Sequence, residues 1–250
     1  MRESGSETHR NRIVWEQKSS LRRVYYCFHQ VIRRHINWIP NRPIVELGSG
    51  IGCIKRVIPE CTTTDIFRSP WLDRQENAYS LSFPDKSLSN LILFDVWHHL
   101  EYPGAALQEF WRVLVPGGRV ILFEPAISAL GKLVYRSPFH AEPLGLREPI
   151  QWHPPLDFKP NQAPYFAAQS RAARIFQKGE ISEWQAQWNL VALEEIVSFA
   201  YVLSGGFTRP QLYPTCLLST IQRIDRVLAH FGSVLATRLL IALEKKATNA

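Results

Sequence analysis

The chain has 250 residues, 46% of them hydrophobic and 20% charged, which excludes wholesale disorder and a fibrous repeat and leaves room for one α/β domain with insertions. Its formal net charge is +7, and most of that excess lies in residues 1–42, where nine Arg and Lys face only Glu3, Glu7 and Glu16. A segment of this kind is either solvated surface or a contact for anionic lipid, nucleic acid or an acidic substrate.

Residues 1–18 are polar and predict a frayed end, without the apolar run of a signal peptide. Leu21, Val24, Tyr25, Phe28, Val31, Ile32, Ile36 and Ile39 then recur at helical spacing, predicting an amphipathic helix capped by Ser19-Ser20 and ending near Pro40. Its Arg22, Arg23, Arg33 and Arg34, with Tyr25, Tyr26 and Trp38, suit a membrane interface as well as they suit packing on the domain's own sheet. A short apolar strand over 44–47 leads into a glycine loop and a short helical stretch over 51–58, and a second strand ends near Asp65. The tract from Pro70 to Lys86 is rich in breakers, Leu88 to Val96 predicts a strand buried on both faces, and 104–114 a helix. Pro116-Gly117-Gly118 predicts a turn before a strand over 119–123. Prolines then break the pattern over 126–187, apart from a helix near 162–178; such a long connection predicts a substrate lid. A strand over 190–200, a turn at 203–206, an amphipathic helix over 217–231 and a strand over 238–244 complete the chain.

Strands alternating with helices indicate βαβ units and a mostly parallel sheet. Cys27, Cys53, Cys61 and Cys216 have no CxxC spacing and no His pair to complete a zinc site, so no metal and no disulfide is expected. No run of about 18 apolar residues occurs, and the expected setting is the cytoplasm, with membrane association left open.

Chemistry concentrates in the first half. A strand entering Gly48-Ser49-Gly50-Ile51-Gly52 lets backbone approach a ligand closely, because glycine accepts the φ values such a turn needs. A dinucleotide fold would place its third glycine where Cys53 stands, and a phosphate loop would need Gly-Lys-Ser/Thr; both are absent. Asp65 stands 17 residues after Gly48, where a strand-end carboxylate can accept from a ribose diol.

Val45-Glu46-Leu47 with the glycine loop, Asp65, the run Asn77-Ala78-Tyr79-Ser80-Leu81-Ser82-Phe83-Pro84-Asp85, then His98-His99-Leu100 and Arg112-Val113-Leu114-Val115-Pro116-Gly117-Gly118 occur in an order that resembles the class I S-adenosylmethionine-dependent methyltransferases of the ubiquinone/menaquinone-biosynthesis (type 11) kind. The resemblance covers residues 43–125. It implies a Rossmann-like, doubly wound, mostly parallel seven-stranded α/β sheet over 43–250, with insertions near 126–187 and 201–237 and an N-terminal segment over 1–42. It implies S-adenosyl-L-methionine as cofactor, with Glu46 near its amino group, Gly48, Ser49, Gly50 and Gly52 around its methionine and ribose, Asp65 on the ribose hydroxyls and Asn77 and Ala78 bordering adenine; Phe94 is grouped with them. The family usually has an acid where Asn77 stands, and the tract from Asp65 to Asn77 lacks the usual helix and strand pair, so the adenine pocket is either open or closed by Phe67, Pro70 and Trp71.

Methyl transfer needs mainly alignment, plus a base when the acceptor is weakly acidic. His98 and His99, after the fourth strand, are the catalytic candidates, with a strand cap as their structural alternative; His140 and His153 are weaker ones. Asp95 and Glu124 either orient substrate or accept from loop amides, and Trp97, Trp152, Tyr165, Phe166 and Tyr201 either wall an acceptor pocket or sit in the core. The acceptor expected is a small molecule, sugar or lipid-linked intermediate. The rivals are RNA methylation, which lacks an aromatic-basic interleaved motif, and a non-catalytic S-adenosylmethionine-binding regulatory protein.

Overall fold

A computed structural model describes residues 4–137 and 142–247. The seven strands are β1 (Ile44–Leu47), β2 (Thr62–Asp65), β3 (Arg74–Gln75), β4 (Leu88–Phe94), β5 (Leu114–Pro125), β6 (Trp188–Ile196) and β7 (Arg238–Lys245). They form one sheet in the order β3-β2-β1-β4-β5-β7-β6, parallel from β3 to β5 and antiparallel at β7. This is the doubly wound, mostly parallel seven-stranded arrangement that the resemblance implied.

Both faces are covered, as a parallel sheet of nearly continuous apolar strands requires. Alternation along β4 sends Leu91 and Leu93 to one face, where Ala106, Leu107, Phe110 and Val113 of α3 (Pro103–Val113) pack together with Trp152, Ile175, Phe176 and Trp184 of the long insertion. Ile92 faces the opposite side, with Val24, Phe28 and Ile32 of α2 (Ser19–Arg34), Ala200 of α5 (Phe199–Ser204) and Leu218 of α6 (Leu218–Leu228). The apolar stripe of α2 is thus buried in the domain's own core. The insertion is pinned through Gly104, whose amide donates to the Trp152 carbonyl at 3.0 Å. A Cβ at Gly104 would stand 2.5 Å from that same oxygen.

Several expectations need correction. Residues 4–17, expected to fray, form the helix α1 (Ser4–Gln17). Trp15, 3% exposed, anchors it beside Tyr25, and Lys18 Nζ donates to the carbonyls of Ser204 and Gly206 at 3.3 and 2.8 Å. Ser19 and Ser20 lie inside α2 and do not cap it. α2 stops at Arg34, ahead of Pro40, because Asn37 exchanges hydrogen bonds with buried Asn90: its amide donates to Asn90 Oδ1 at 3.0 Å and its carbonyl accepts from Asn90 Nδ2 at 2.8 Å. The stretch 51–58 tightens to a 3₁₀ turn over Cys53–Arg56.

A strand is present between Asp65 and Asn77, although only two residues long, since β3 pairs with Thr64 and Asp65. Pro116–Gly118 is accommodated inside β5 as a bulge: between the Leu88/Leu114 and Asn90/Arg119 pairs, β5 advances five residues against two on β4. The helix expected from 162 shrinks to a short turn around Ala173–Gln177, with extended chain around Pro164 before it. β6 ends at Ile196, and Ser198 caps α5 by accepting from Tyr201 N. The helix expected over 217–231 is α6 followed by a 3₁₀ turn over Ala229–Phe231 and α7 (Gly232–Leu235).

Candidate functional site

The carboxyl ends of β1, β2, β4 and β5 lie on one edge of the sheet, where α/β folds bind ligands. Gly48, Gly50 and Gly52 have φ of 70°, 55° and 67°, values costly for any side chain with a Cβ. Gly48 is also needed for room, since a Cβ there would stand 2.3 Å from Val96 Cγ2, whereas a Cβ at Gly50 would meet nothing within 4 Å: the loop's tip faces open space.

Ser49 serves the scaffold. Its hydroxyl donates to the Glu46 carbonyl at 3.1 Å and accepts from Thr64 N at 3.0 Å, tying β1 to β2. Glu46 itself is 3% exposed, and its Oε2 has no hydrogen-bond partner among the described residues. Burial, with Asp65's charge adding to it, pushes its carboxyl up to about 7. An orphaned buried carboxylate under a glycine loop suits a ligand that brings its own cationic donor.

Asp65 accepts from the amides of Gly50 and Phe67, both at 3.2 Å, and burial raises its pKa. Each of its oxygens keeps acceptor capacity beyond those single bonds. Beside it lies a cavity of 280 Å³ lined by Gly50, Asp65, Phe67, Pro70 and Trp71, and by Thr8 and His9 of α1. The His9 and Trp71 rings stack at 6.2 Å. This chamber offers a carboxylate, glycine backbone and flat rings, a set that suits a nucleoside, and Phe67, Pro70 and Trp71 wall it together with α1.

Three residues grouped with the cofactor stand elsewhere. Asn77 Nδ2 donates to the Pro160 carbonyl at 3.0 Å and its Oδ1 accepts from Tyr79 N at 2.9 Å, so its amide holds the insertion instead of facing the cavity; Ala78 packs against the core beneath. Phe94 belongs to an aromatic cluster, its ring 5.1 Å from Tyr25 and 4.8 Å from Phe123.

Past β4 the chain turns sharply. Asp95 takes φ of 56°, a conformation Asp tolerates better than most residues. Glu124, at the end of β5, accepts the amides of Val96 and Trp97 at 2.9 and 2.7 Å and, through its other oxygen, His98 Nδ1 at 2.6 Å. His98 Nε2 meets Glu142 Oε2 at 3.2 Å. Burial alone would lower the His98 pKa, but the two carboxylates raise it to about 10, so at neutral pH it is an imidazolium donating from both nitrogens. Burial would likewise raise Glu142, yet the His98 imidazolium, with help from Tyr165, holds it down to about 2. His99 differs. Its Nδ1 is 2.8 Å from the Phe166 carbonyl, to which it must donate, and its Nε2 lies 3.6 Å from Glu142 Oε1 in a side chain 31% exposed. The ligand atoms of His98, His99 and Glu142, and those of Asp95, His98 and Glu124, lie within 4.8 Å of one another. Arg171, 1% exposed, fixes the loop that follows by donating to the Leu100 and Glu101 carbonyls at 2.5 and 2.7 Å.

Glu142 and Arg238 escaped the sequence reading. Glu142 sits in the proline-rich insertion, 43 residues beyond His99, with no local pattern around it. Arg238 opens an apolar strand and is 2% exposed; it donates to Asp95 Oδ2 at 2.7 Å with the Phe94, Phe123 and Tyr201 rings 5.0–5.2 Å away. A lone arginine ahead of five apolar residues was the available signal. Of the aromatics proposed as pocket walls, Trp97 and Trp152 are buried in the core and Tyr165 is exposed. His153 lies on the surface, paired with Glu183, and His140 falls outside the described residues.

Residues 46–122 match the family model of a methyltransferase domain, and that segment contains the glycine loop, Asp65 and the His98-His99 turn. That segment belongs with the S-adenosylmethionine-dependent methyltransferase domains of the type 11 kind. The methyltransferase resembles solved structures in fold. One is a chain from the complex between the Haloferax volcanii Trm112 methyltransferase activator and a putative methyltransferase, at TM-score 0.52 and 12% identity, covering 98% of both chains. Another is a SAM-dependent methyltransferase from Archaeoglobus fulgidus, at TM-score 0.50 and 14% identity over 90% of this chain and 94% of that one. A third is a possible histamine N-methyltransferase from Thermotoga maritima, at TM-score 0.50 and 16% identity over 94% and 98%. No curated protein matched the methyltransferase.

Proposed function

We propose that this methyltransferase methylates a hydroxyl of a small molecule, sugar or lipid-linked intermediate, with His99 accepting the proton. The observation that carries this reading is the placement of His99, whose Nδ1–H is held by the Phe166 carbonyl while Nε2, in a partly exposed side chain at the carboxyl edge of the sheet, lies 3.6 Å from Glu142 Oε1, a carboxylate that would stabilise the proton Nε2 takes up. His98, named alongside it from sequence, becomes the positioning residue: its imidazolium locks Glu142 beside His99.

S-adenosylmethionine, when bound, supplies an electrophilic methyl group on its sulfonium sulfur. In the proposed arrangement Asp65 accepts from the ribose hydroxyls, Glu46 faces the amino group, and His9, Phe67 and Trp71 take the adenine-bordering place that sequence gave to Asn77 and Ala78. An acceptor hydroxyl held in line with that methyl group would form its carbon–oxygen bond as the carbon–sulfur bond breaks, leaving S-adenosylhomocysteine, and His99 Nε2 would take the hydroxyl's proton.

Labelled-methyl transfer into a cell extract, split into organic and aqueous phases and read by mass spectrometry, identifies the acceptor class. His99→Ala is expected to lower turnover by about a hundredfold or more while S-adenosylmethionine affinity stays within about twofold. Full turnover in that variant would remove His99 from the mechanism.

A further inference from the structure

The 218–235 segment is an amphipathic element with an uncovered apolar side. Leu217, Ile224, Val227, Phe231 and Val234 follow one another at helical spacing and are all exposed, Val227 at 71% and Phe231 at 57%. The inward side is firmly anchored, because Leu218 is buried and the carboxylate of Asp225 accepts the amides of Phe199 and Ala200 at 2.8 and 3.1 Å. The stripe is therefore the surplus face of a docked helix, and a run of exposed aliphatic and aromatic side chains of this length marks an interaction surface.

Its charge surroundings narrow the partner. Arg223, Arg226 and His230 share the exposed surface with the stripe, and among the described residues neither arginine has a carboxylate within salt-bridge distance. Arg23 of α2 and Arg226 both act on Cys27, which also accepts from Gln222 at 3.5 Å, so the basic sides of α2 and α6 adjoin. Asp225 is the only acid in residues 196–243, and residues 17–45 contain none. The carboxylates bordering this face are engaged: Glu194 pairs with His35 at 2.8 Å and Glu195 accepts from Gln177 at 2.6 Å.

From this we infer that the α6–α7 face docks on an anionic lipid surface, with Leu217, Ile224, Val227 and Phe231 entering the headgroup boundary while Arg23, Arg223 and Arg226 meet lipid phosphates. An apolar stripe flanked by arginines is the composition that lies in a bilayer interface. A symmetric dimer would oppose the same arginines to one another with no acid between them, and a nucleic acid would leave the aliphatic stripe unsatisfied. No helix among the described residues is long and apolar enough to cross a membrane; the contact is peripheral. It bears on α6 and α7, whereas the sequence pointed to α2, whose apolar face is buried. The inference stands independently of the acceptor.

Co-sedimentation of the full chain with vesicles of phosphatidylcholine, alone or mixed with phosphatidylglycerol, tests it. The protein is expected to bind the mixed vesicles and to lose binding as salt rises. Arg223→Gln with Arg226→Gln is expected to weaken binding roughly tenfold or more, as is Val227→Ser with Phe231→Ser, with far-ultraviolet circular dichroism and melting unchanged because all four side chains are exposed. Absence of binding to the mixed vesicles, undiminished, wild-type binding by both double variants, or a dimer in sedimentation velocity that dissociates with Val227→Ser and Phe231→Ser would each overturn the inference. None of these outcomes depends on methyl transfer.

Discussion

Single side chains at the sheet's carboxyl edge are held in charge states that water alone would not favour, and these states have measurable consequences. Glu46, raised to about 7 by burial, binds a proton in the folded protein that the unfolded chain releases near 4.5. Folded Glu46 therefore carries more protons between those values, so its contribution makes stability fall as pH rises through that window. Glu46→Gln is expected to remove that slope and to stabilise the free protein at pH 8 by up to about 3 kcal/mol, as read by urea melts. Cofactor binding carries the opposite sign, since a cationic amino group needs the carboxylate: affinity is expected to rise with pH through about 7 in the wild type and to stay flat in Glu46→Gln, by calorimetry. Arg238 and Asp95 form a mostly buried pair, and Arg238→Ala is expected to cost about 3–5 kcal/mol in the same melts by leaving Asp95 uncompensated. At this scale the sequence was readable where a residue type is rare for its place, as with glycines in a loop or an acid ending a strand. It was silent where partners come from distant segments: His98 and His99 look alike side by side, and only Glu124 and Glu142 make the first an imidazolium while the Phe166 carbonyl holds the second by its Nδ1.

Among the elements, α1 bears most on the cavity beside Asp65. Polar and without an apolar period, it predicts a frayed end, yet Trp15 and the Lys18 contacts to the Ser204 and Gly206 carbonyls seat it so that Thr8 and His9 wall the cavity beside Asp65. Deletion of residues 1–12 is expected to leave the far-ultraviolet spectrum of the sheet intact while speeding cofactor release about tenfold or more, measured by stopped-flow fluorescence of Trp71. An unchanged release rate would show that α1 covers nothing of consequence. Strands and helices with strong periods were legible to within a few residues, whereas ends were not. α2 ends where Asn90 captures Asn37, and β3 exists because β2 offers it a ladder; both are tertiary effects that no local pattern records.

For the whole molecule, the sheet order puts β1, β2, β4 and β5 side by side, so the glycine loop, Asp65 and the His98-His99 turn meet at one edge although they are spread over about fifty residues of chain. The ordered motifs made this assembly legible, because strand alternation and a crossover rule leave few ways to wind such a sheet. The antiparallel β7 and the docking of the long insertion through Gly104 and Trp152 were legible only in position, since prolines hide the insertion's contacts from any periodicity. On the proposed reading, the loop and Asp65 together form the S-adenosylmethionine site. Titration calorimetry of S-adenosylmethionine into the full chain and into Asp65→Ala addresses it directly. Saturable binding by the wild type, weakened about tenfold or more in Asp65→Ala, is the expected result; equal affinity in the two proteins would contradict it.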